Sequence, residues 1–116
     1  MKTQKPKVLE KVIENQIFHY LKKRGIFCWK NDSVGIFDPV KKIYRSNRNP
    51  NRIKGVSDIL GILPNGRFLA IEVKAEKGRA SPEQVEFLSQ IERNGGIGIL
   101  ARSLSDIESE AALFGK

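Results

Sequence analysis

Between Asp58 and Lys74 the chain reads Asp-Ile-Leu-Gly-Ile-Leu-Pro-Asn-Gly-Arg-Phe-Leu-Ala-Ile-Glu-Val-Lys, two apolar runs joined at Pro64, Asn65 and Gly66. Runs of this length separated by turn formers predict a β-hairpin. Pro64 suits the first central position of a type I turn and Gly66 the left-handed residue of a G1 bulge, so a three-residue loop is expected. In that register Asp58 lies opposite Glu72. Side chains alternate along a strand, which puts Lys74 on the face of Glu72 and turns Val73 to the other side. Opposed residues have Cβ atoms about 4.5–5.5 Å apart, close enough for two carboxylates to share one cation. A two-residue Asn65-Gly66 turn would instead pair Asp58 with Val73, so the constellation depends on turn type.

Two carboxylates on an otherwise apolar hairpin repel each other and lose hydration, a cost that a positive charge must offset. A hard divalent ion answers that need. Mg²⁺ takes oxygen ligands at about 2.0–2.1 Å and sits between one or two carboxylates and a substrate phosphate. Lys74 beside it would orient or deprotonate an attacking water, or steady charge building on phosphorus. The implied chemistry is phosphodiester hydrolysis. The alternative is that Asp58 merely begins a strand and that Glu72 and Lys74 form a surface ion pair.

The charge balance favours the chemical reading. Twenty-one Lys and Arg against 13 Asp and Glu give +8 over 116 residues, the footprint of a polyanion binder. The length suits one domain, expected over 1–116. No apolar run approaches the roughly 20 residues that span a bilayer, and the start, Met-Lys-Thr-Gln-Lys-Pro-Lys, lacks a signal peptide's apolar region. A cytoplasmic protein that binds nucleic acid is expected. Cys28 and His19 are the only residues of their kinds, which excludes an intrachain disulfide and a zinc site of the usual ligands. Any metal site must be built from oxygen.

Apolar Leu9, Ile13, Ile17, Tyr20 and Leu21 recur at helical spacing from Val8 to Arg24, with Gly25 as the stop. Glu10 and Glu14 lie one turn apart on one edge of that stripe, and His19 is expected at the surface or partly buried. Ile26 to Asn31 reads as a strand in which Phe27 and Trp29 are expected in the core rather than stacked on bases, with Cys28 as an inert core residue. Ser81, Pro82 and Gln84 supply an N-cap, a first-turn proline and a capping-box residue for a helix over Pro82–Arg93 that is expected to bury Val85, Leu88 and Ile91. Ile97 to Ala101 reads as a short buried strand. Ser105 and Glu108 open a last helix to about Phe114.

From Ser33 to Ser57 periodicity fades. This stretch holds Lys41, Lys42, Arg45, Arg48, Arg52 and Lys54 against Asp38 alone. With Asn47, Asn49 and Asn51 as hydrogen-bonding partners and Phe37 and Tyr44 as stacking surfaces, it suits phosphate contacts; the alternative is a solvated loop that binds nothing specific. Ile36 to Tyr44 is compatible with a short hairpin.

Gly55-Val56-Ser57-Asp58-Ile59-Leu60-Gly61, then Ile71-Glu72-Val73-Lys74, then Ser81-Pro82-Glu83-Gln84 resemble the virus-type replication-repair nuclease (VRR-NUC) family of the PD-(D/E)xK superfamily. The resemblance runs from about Glu14 to Ala101. It implies an α/β, restriction-endonuclease-like αβββαβ core with a mixed central sheet flanked by helices. It makes Asp58 and Glu72 metal ligands, with the Val73 carbonyl as a third, and Lys74 the catalytic lysine. Glu14 matches the family's first-helix acid, which lies near the metal and binds a second ion or holds a metal water. Gln84 matches an active-site glutamine, although its capping-box position explains it equally well. Gly55 would permit a backbone bend before Asp58, and Ser57 stands where the superfamily label has a proline that is not a ligand. The resemblance implies an Mg²⁺- or Mn²⁺-dependent DNA endonuclease of phage or bacterial type, similar to homodimeric resolvases of four-way (Holliday) junctions. The competing expectation is a non-catalytic nucleic-acid-binding module that keeps the fold.

Overall fold

A computed structural model describes residues 6–31, 36–38, 40, 43–45 and 50–115. In chain order the elements are α1 (Pro6–Lys23), β1 (Phe27–Lys30), β2 (Ile36–Asp38), β3 (Ile43–Arg45), β4 (Ile59–Ile62), β5 (Phe68–Val73), α2 (Pro82–Arg93), β6 (Ile97–Ala101), α3 (Leu104–Glu108) and a 3₁₀ turn (Ala111–Phe114).

Both long helices stop by the same device. After α1 the Ile26 N–H donates to Leu21 O at 3.0 Å and the Gly25 N–H to Lys22 O at 2.9 Å. After α2 the Gly96 N–H donates to Ile91 O at 2.8 Å and the Gly95 N–H to Glu92 O at 3.1 Å. These paired bonds satisfy the last carbonyls in Schellman motifs, with glycine at the left-handed position each time. Helix α2 starts as its sequence predicts, with Ser81 and Gln84 forming a complete capping box and Pro82 in the first turn. The last helix differs from expectation. Ser103 rather than Ser105 is its N-cap, without a side-chain bond, and α3 stops at Glu108 before the 3₁₀ turn.

The main sheet runs β1-β4-β5-β6, and β2 pairs with β3 in a separate ribbon at the place where a hairpin was compatible. β1 to β4 and β4 to β5 are antiparallel, whereas β5 and β6 are parallel and joined through α2. A parallel pair needs such a crossover, so the helix between Val73 and Ile97 makes the sheet mixed.

The two faces of this sheet are covered unequally. On one, Cys28, Ile59, Leu69, Ile71, Val73 and Ile97 pack with Ile17 and Leu21 of α1 and with Ile107 and Phe114 beyond β6. On the other, α2 lies over β5 and β6, where a Cβ on Gly98 would fall 2.8 Å from Leu88 O. Close approach over half the sheet leaves the rest of that face without a covering helix among the described residues. As a result no residue of α2 is fully buried, and Val85, expected inside, is 51% exposed. Phe27 and Trp29, also expected in the core, stand outward on β1 at 63% and 37% exposure. Strand alternation gives Cys28 the inward position between them, and among the described residues no helix covers their side.

Candidate active site

The β4–β5 connection has the three-residue loop that Pro64, Asn65 and Gly66 imply. The Gly66 N–H donates to Leu63 O at 2.8 Å, Leu63 N–H donates to Arg67 O at 2.9 Å, and Gly66 has φ +88°. An L side chain rarely adopts that φ, so glycine closes the bulge. Ile59 therefore pairs with Ile71 and Ile62 with Phe68, and the same register carried one step further sets Asp58 opposite Glu72.

Asp58 lies just outside β4 and is tied to both neighbouring strands. Its carbonyl accepts from Asn31 N–H at 2.8 Å, and its carboxylate Oδ2 accepts from Val73 N–H at 2.7 Å. In a strand the N–H and C=O of one residue point to the same side, so the Val73 carbonyl is directed toward Asp58, while Lys74 N–H turns to Ala101 O at 3.0 Å. Glu72 is 1% exposed. Its Oε1 lies 3.8 Å from Lys74 Nζ, and its Oε2 is buried with no hydrogen-bond partner. A surface ion pair is thus not what Glu72 and Lys74 form.

Burial drives the electrostatics. It pushes the Glu72 carboxyl up to about 8, with the facing Asp58 charge adding to the rise and Lys74 opposing it. Asp58 is also raised, first by burial and then by Glu14, against the Val73 N–H and Lys74. Two hard oxygen donors that resist ionisation together, one with an unpartnered oxygen, fit a divalent cation. Among the described residues no group of three or more His, Cys, Asp or Glu is placed to hold a metal. A cation here would rest on the two carboxylates, with main-chain and solvent oxygens completing its shell, as Mg²⁺ accepts.

Glu14 is 9% exposed on α1 and pairs with Lys11 at 3.1 Å and Lys30 at 3.5 Å. It is near enough to Asp58 to raise its pKa but does not join Asp58 and Glu72 as a third side-chain donor. Gln84 spends its carbonyl oxygen on the Ser81 N–H at 2.8 Å and its own N–H on Ser81 Oγ at 3.1 Å. Gly55 has φ +77°, and a Cβ there would fall 2.3 Å from the Glu83 carbonyl carbon and 2.6 Å from Gln84 N. The bend before Asp58 therefore rests directly on the start of α2. Ser57 is fully buried with an unpartnered hydroxyl.

One contributor is invisible to sequence spacing. Arg102 Nη1 donates to Ala75 O at 2.6 Å, Gly78 O at 2.7 Å and Glu76 O at 3.1 Å, clamping the turn that follows Lys74. Up to 27 residues separate the partners, and only the parallel pairing of β5 and β6 brings them together. Of the expected DNA-contacting cations, Arg52 and Lys54 are exposed. Lys41, Lys42 and Arg48 lie outside the described residues, as does the side chain of Arg45. His19 is exposed, as expected. Cys28 is buried, and burial pushes its thiol pKa up. Among the described residues no helix is long and apolar enough to cross a membrane.

The VRR-NUC domain family model matches residues 9–104. A solved VRR-NUC domain protein superposes with a TM-score of 0.57 at 16% identity, over 97% of this chain and 89% of its own. That likeness shows a shared fold. No curated protein matches the chain.

The raised Glu72 carboxyl has a sign that can be measured. In EDTA the folded chain keeps a proton on Glu72 that the unfolded chain releases above its ordinary value of 4.5. Stability is therefore fully present below that value, falls as pH rises toward about 8, and levels off beyond. Thermal denaturation in chelator should show this decline, and Glu72→Gln, which cannot ionise, should remove most of it. Stability that rises over this window would contradict the buried pair.

Proposed function

The chain belongs to the VRR-NUC family of nucleases, and we propose that it is an Mg²⁺- or Mn²⁺-dependent endonuclease that hydrolyses DNA phosphodiester bonds, selective for branched DNA such as four-way junctions. The observation that carries this reading is the buried Glu72 facing the part-buried Asp58 across the hairpin, with Glu72 Oε2 unpartnered and Lys74 Nζ 3.8 Å from Oε1. Asp58, Glu72 and the Val73 carbonyl hold the cation. When bound, the ion supplies the positive charge that lets both carboxyls ionise and that draws electrons from a phosphate oxygen.

The remaining work falls to the chain itself. Val73 N–H fixes one Asp58 oxygen and leaves the other for the ion. Lys74, 17% exposed along its side chain, places a cation beside the phosphorus, where negative charge grows as water adds in line and the P–O bond to the leaving sugar oxygen breaks. The water yields its proton to solvent or the phosphate, and the leaving oxygen takes one up. Glu14, neutralised in part by Lys11 and Lys30, orders solvent at the edge of the site. Gln84 holds the start of α2, against which Gly55 sets the approach to Asp58.

Residues 1–116 act as one nuclease domain, with Lys41, Lys42, Arg45, Arg48, Arg52 and Lys54 binding the DNA backbone. Two copies about a two-fold axis would present two such sites to symmetric strands, which suits paired nicking of a junction.

Cleavage of a synthetic four-way junction in Mg²⁺ or Mn²⁺, abolished by EDTA, is the expected result. Binding without cleavage in either metal would favour the non-catalytic module. Asp58→Asn and Glu72→Gln should each lower cleavage by two or more orders of magnitude, on the order of what losing a charge-stabilising group costs, while DNA affinity measured by anisotropy stays within a few-fold. A parallel loss of affinity would remove these residues from catalysis. Arg45→Ala, Arg48→Ala and Arg52→Ala together should flatten the salt dependence of binding, with a slope smaller by about 2–3 if each contacts one phosphate. An unchanged slope would take this segment out of the interface.

A further inference from the structure

Phe27 and Trp29 stand on the open half of the sheet, and the aromatic surface they make is continuous. Their ring centroids are 5.4 Å apart, and Trp29 meets Phe68 edge-on at 6.4 Å. Ile62, opposite Phe27 in the register, adds a side chain 41% exposed. Singly exposed apolar residues are ordinary, whereas an aromatic pair grouped with other apolar side chains marks a surface that binds something.

The position of this surface identifies its occupant. Trp29 pairs with Leu60, two residues beyond Asp58 on the adjacent strand, so its backbone lies roughly 8 Å from that of Asp58 by strand rise and spacing. Alternation puts both residues on the same face as Glu72. Stacked nucleotides rise about 3.4 Å each and an unstacked strand extends further, so that separation is about one to two nucleotides. Beside Phe68 a groove of about 810 Å³ is lined by Phe87 and Ile91, by the acids Glu83 and Glu86 and by Lys54. The exposed Lys54 and the net charge of +8 attract a phosphate chain to the molecule, while the two acids keep it from lying along α2. A flat uncharged group carried on a polyanion suits the indole face, and a nucleobase is that group.

Taking the proposed nuclease reading as its basis, we infer that Trp29, supported by Phe27, is a base-stacking platform for an unpaired nucleotide about one to two positions from the phosphate held at Asp58 and Glu72. The platform selects DNA in which a base is free to leave its stack, which gives the site a preference for gaps, flaps or branch points over intact duplex. It binds any base, because every base has a π-face.

Trp29 is the only tryptophan, so its emission reports the contact directly. A fluorescently labelled duplex with a three-nucleotide gap is titrated with the protein in EDTA, where cleavage cannot intrude. Quenching of Trp29 emission should saturate at the same midpoint as the anisotropy of the label. Abasic sites throughout the gap should abolish the quenching. Trp29→Ala should weaken binding to gapped DNA by about 5- to 150-fold and to intact duplex hardly at all, while Trp29→Phe should retain most of the preference. Both variants alter an exposed side chain, and their melting curves confirm the fold. Phe27→Ala should give a smaller loss of the same kind. DNA binding with unchanged Trp29 emission overturns the platform and leaves the nuclease reading standing. An emission change that follows protein concentration without DNA assigns the patch to a second copy of the chain and also overturns it. Failure to bind any DNA overturns both.

Discussion

Two carboxyl groups facing each other inside an apolar hairpin oppose their own ionisation, and the organisation of this molecule follows from how they are held in place. Neither Asp58 nor Glu72 improves the fold by being there, since burial raises both pKa values, with the Asp58 charge adding to the rise at Glu72 and the Glu14 charge to that at Asp58. What the backbone provides is geometry. The Val73 N–H grips one oxygen of Asp58, and the Asn31 N–H grips its carbonyl, so the acid cannot swing out to water. Glu72 is fixed by its place on β5 and left with an unpartnered oxygen. Such a pair persists when a function needs it, and a divalent cation of the kind proposed would turn the unfavourable charge into a binding site.

The surrounding fold reads as a set of supports for that pair. The face of the sheet packed on α1 is the conventional core, with Ile17, Leu21, Ile59 and Ile71 fully buried. The opposite face is half covered, because Gly96 and Gly98 let α2 settle closely over β5 and β6. That close seating brings the start of α2 against Gly55, and so fixes the chain entering Asp58. Arg102 does the same for the chain leaving Lys74 by holding three carbonyls of the following turn. The open half of the face keeps Phe27 and Trp29 at the surface on the same side as the acids.

Local rules made much of this readable from the residues. The turn chemistry of Pro64 to Gly66 gave the register that sets Asp58 against Glu72, and the Ser81, Pro82 and Gln84 signals gave both the start of α2 and the reason for it. The stop at Gly25 was legible for the same reason, since caps and turns depend on near neighbours. What was misread depended on distant ones. Phe27, Trp29 and Val85 have the composition of core residues, and their exposure follows from how far α2 extends across the sheet. Arg102 carries no local signature at all. Glu14 could be placed on the correct helix from periodicity, but its ion pair with Lys30 required the packing of α1 against β1.

The most direct test of the central claim is anomalous scattering from crystals soaked in Mn²⁺. A single strong peak between Asp58 and Glu72, with carboxylate oxygens of both residues and the Val73 carbonyl at coordinating distance, is the result this account requires. Manganese bound elsewhere, or those two carboxylates turned apart around an empty gap at saturating metal, would contradict it.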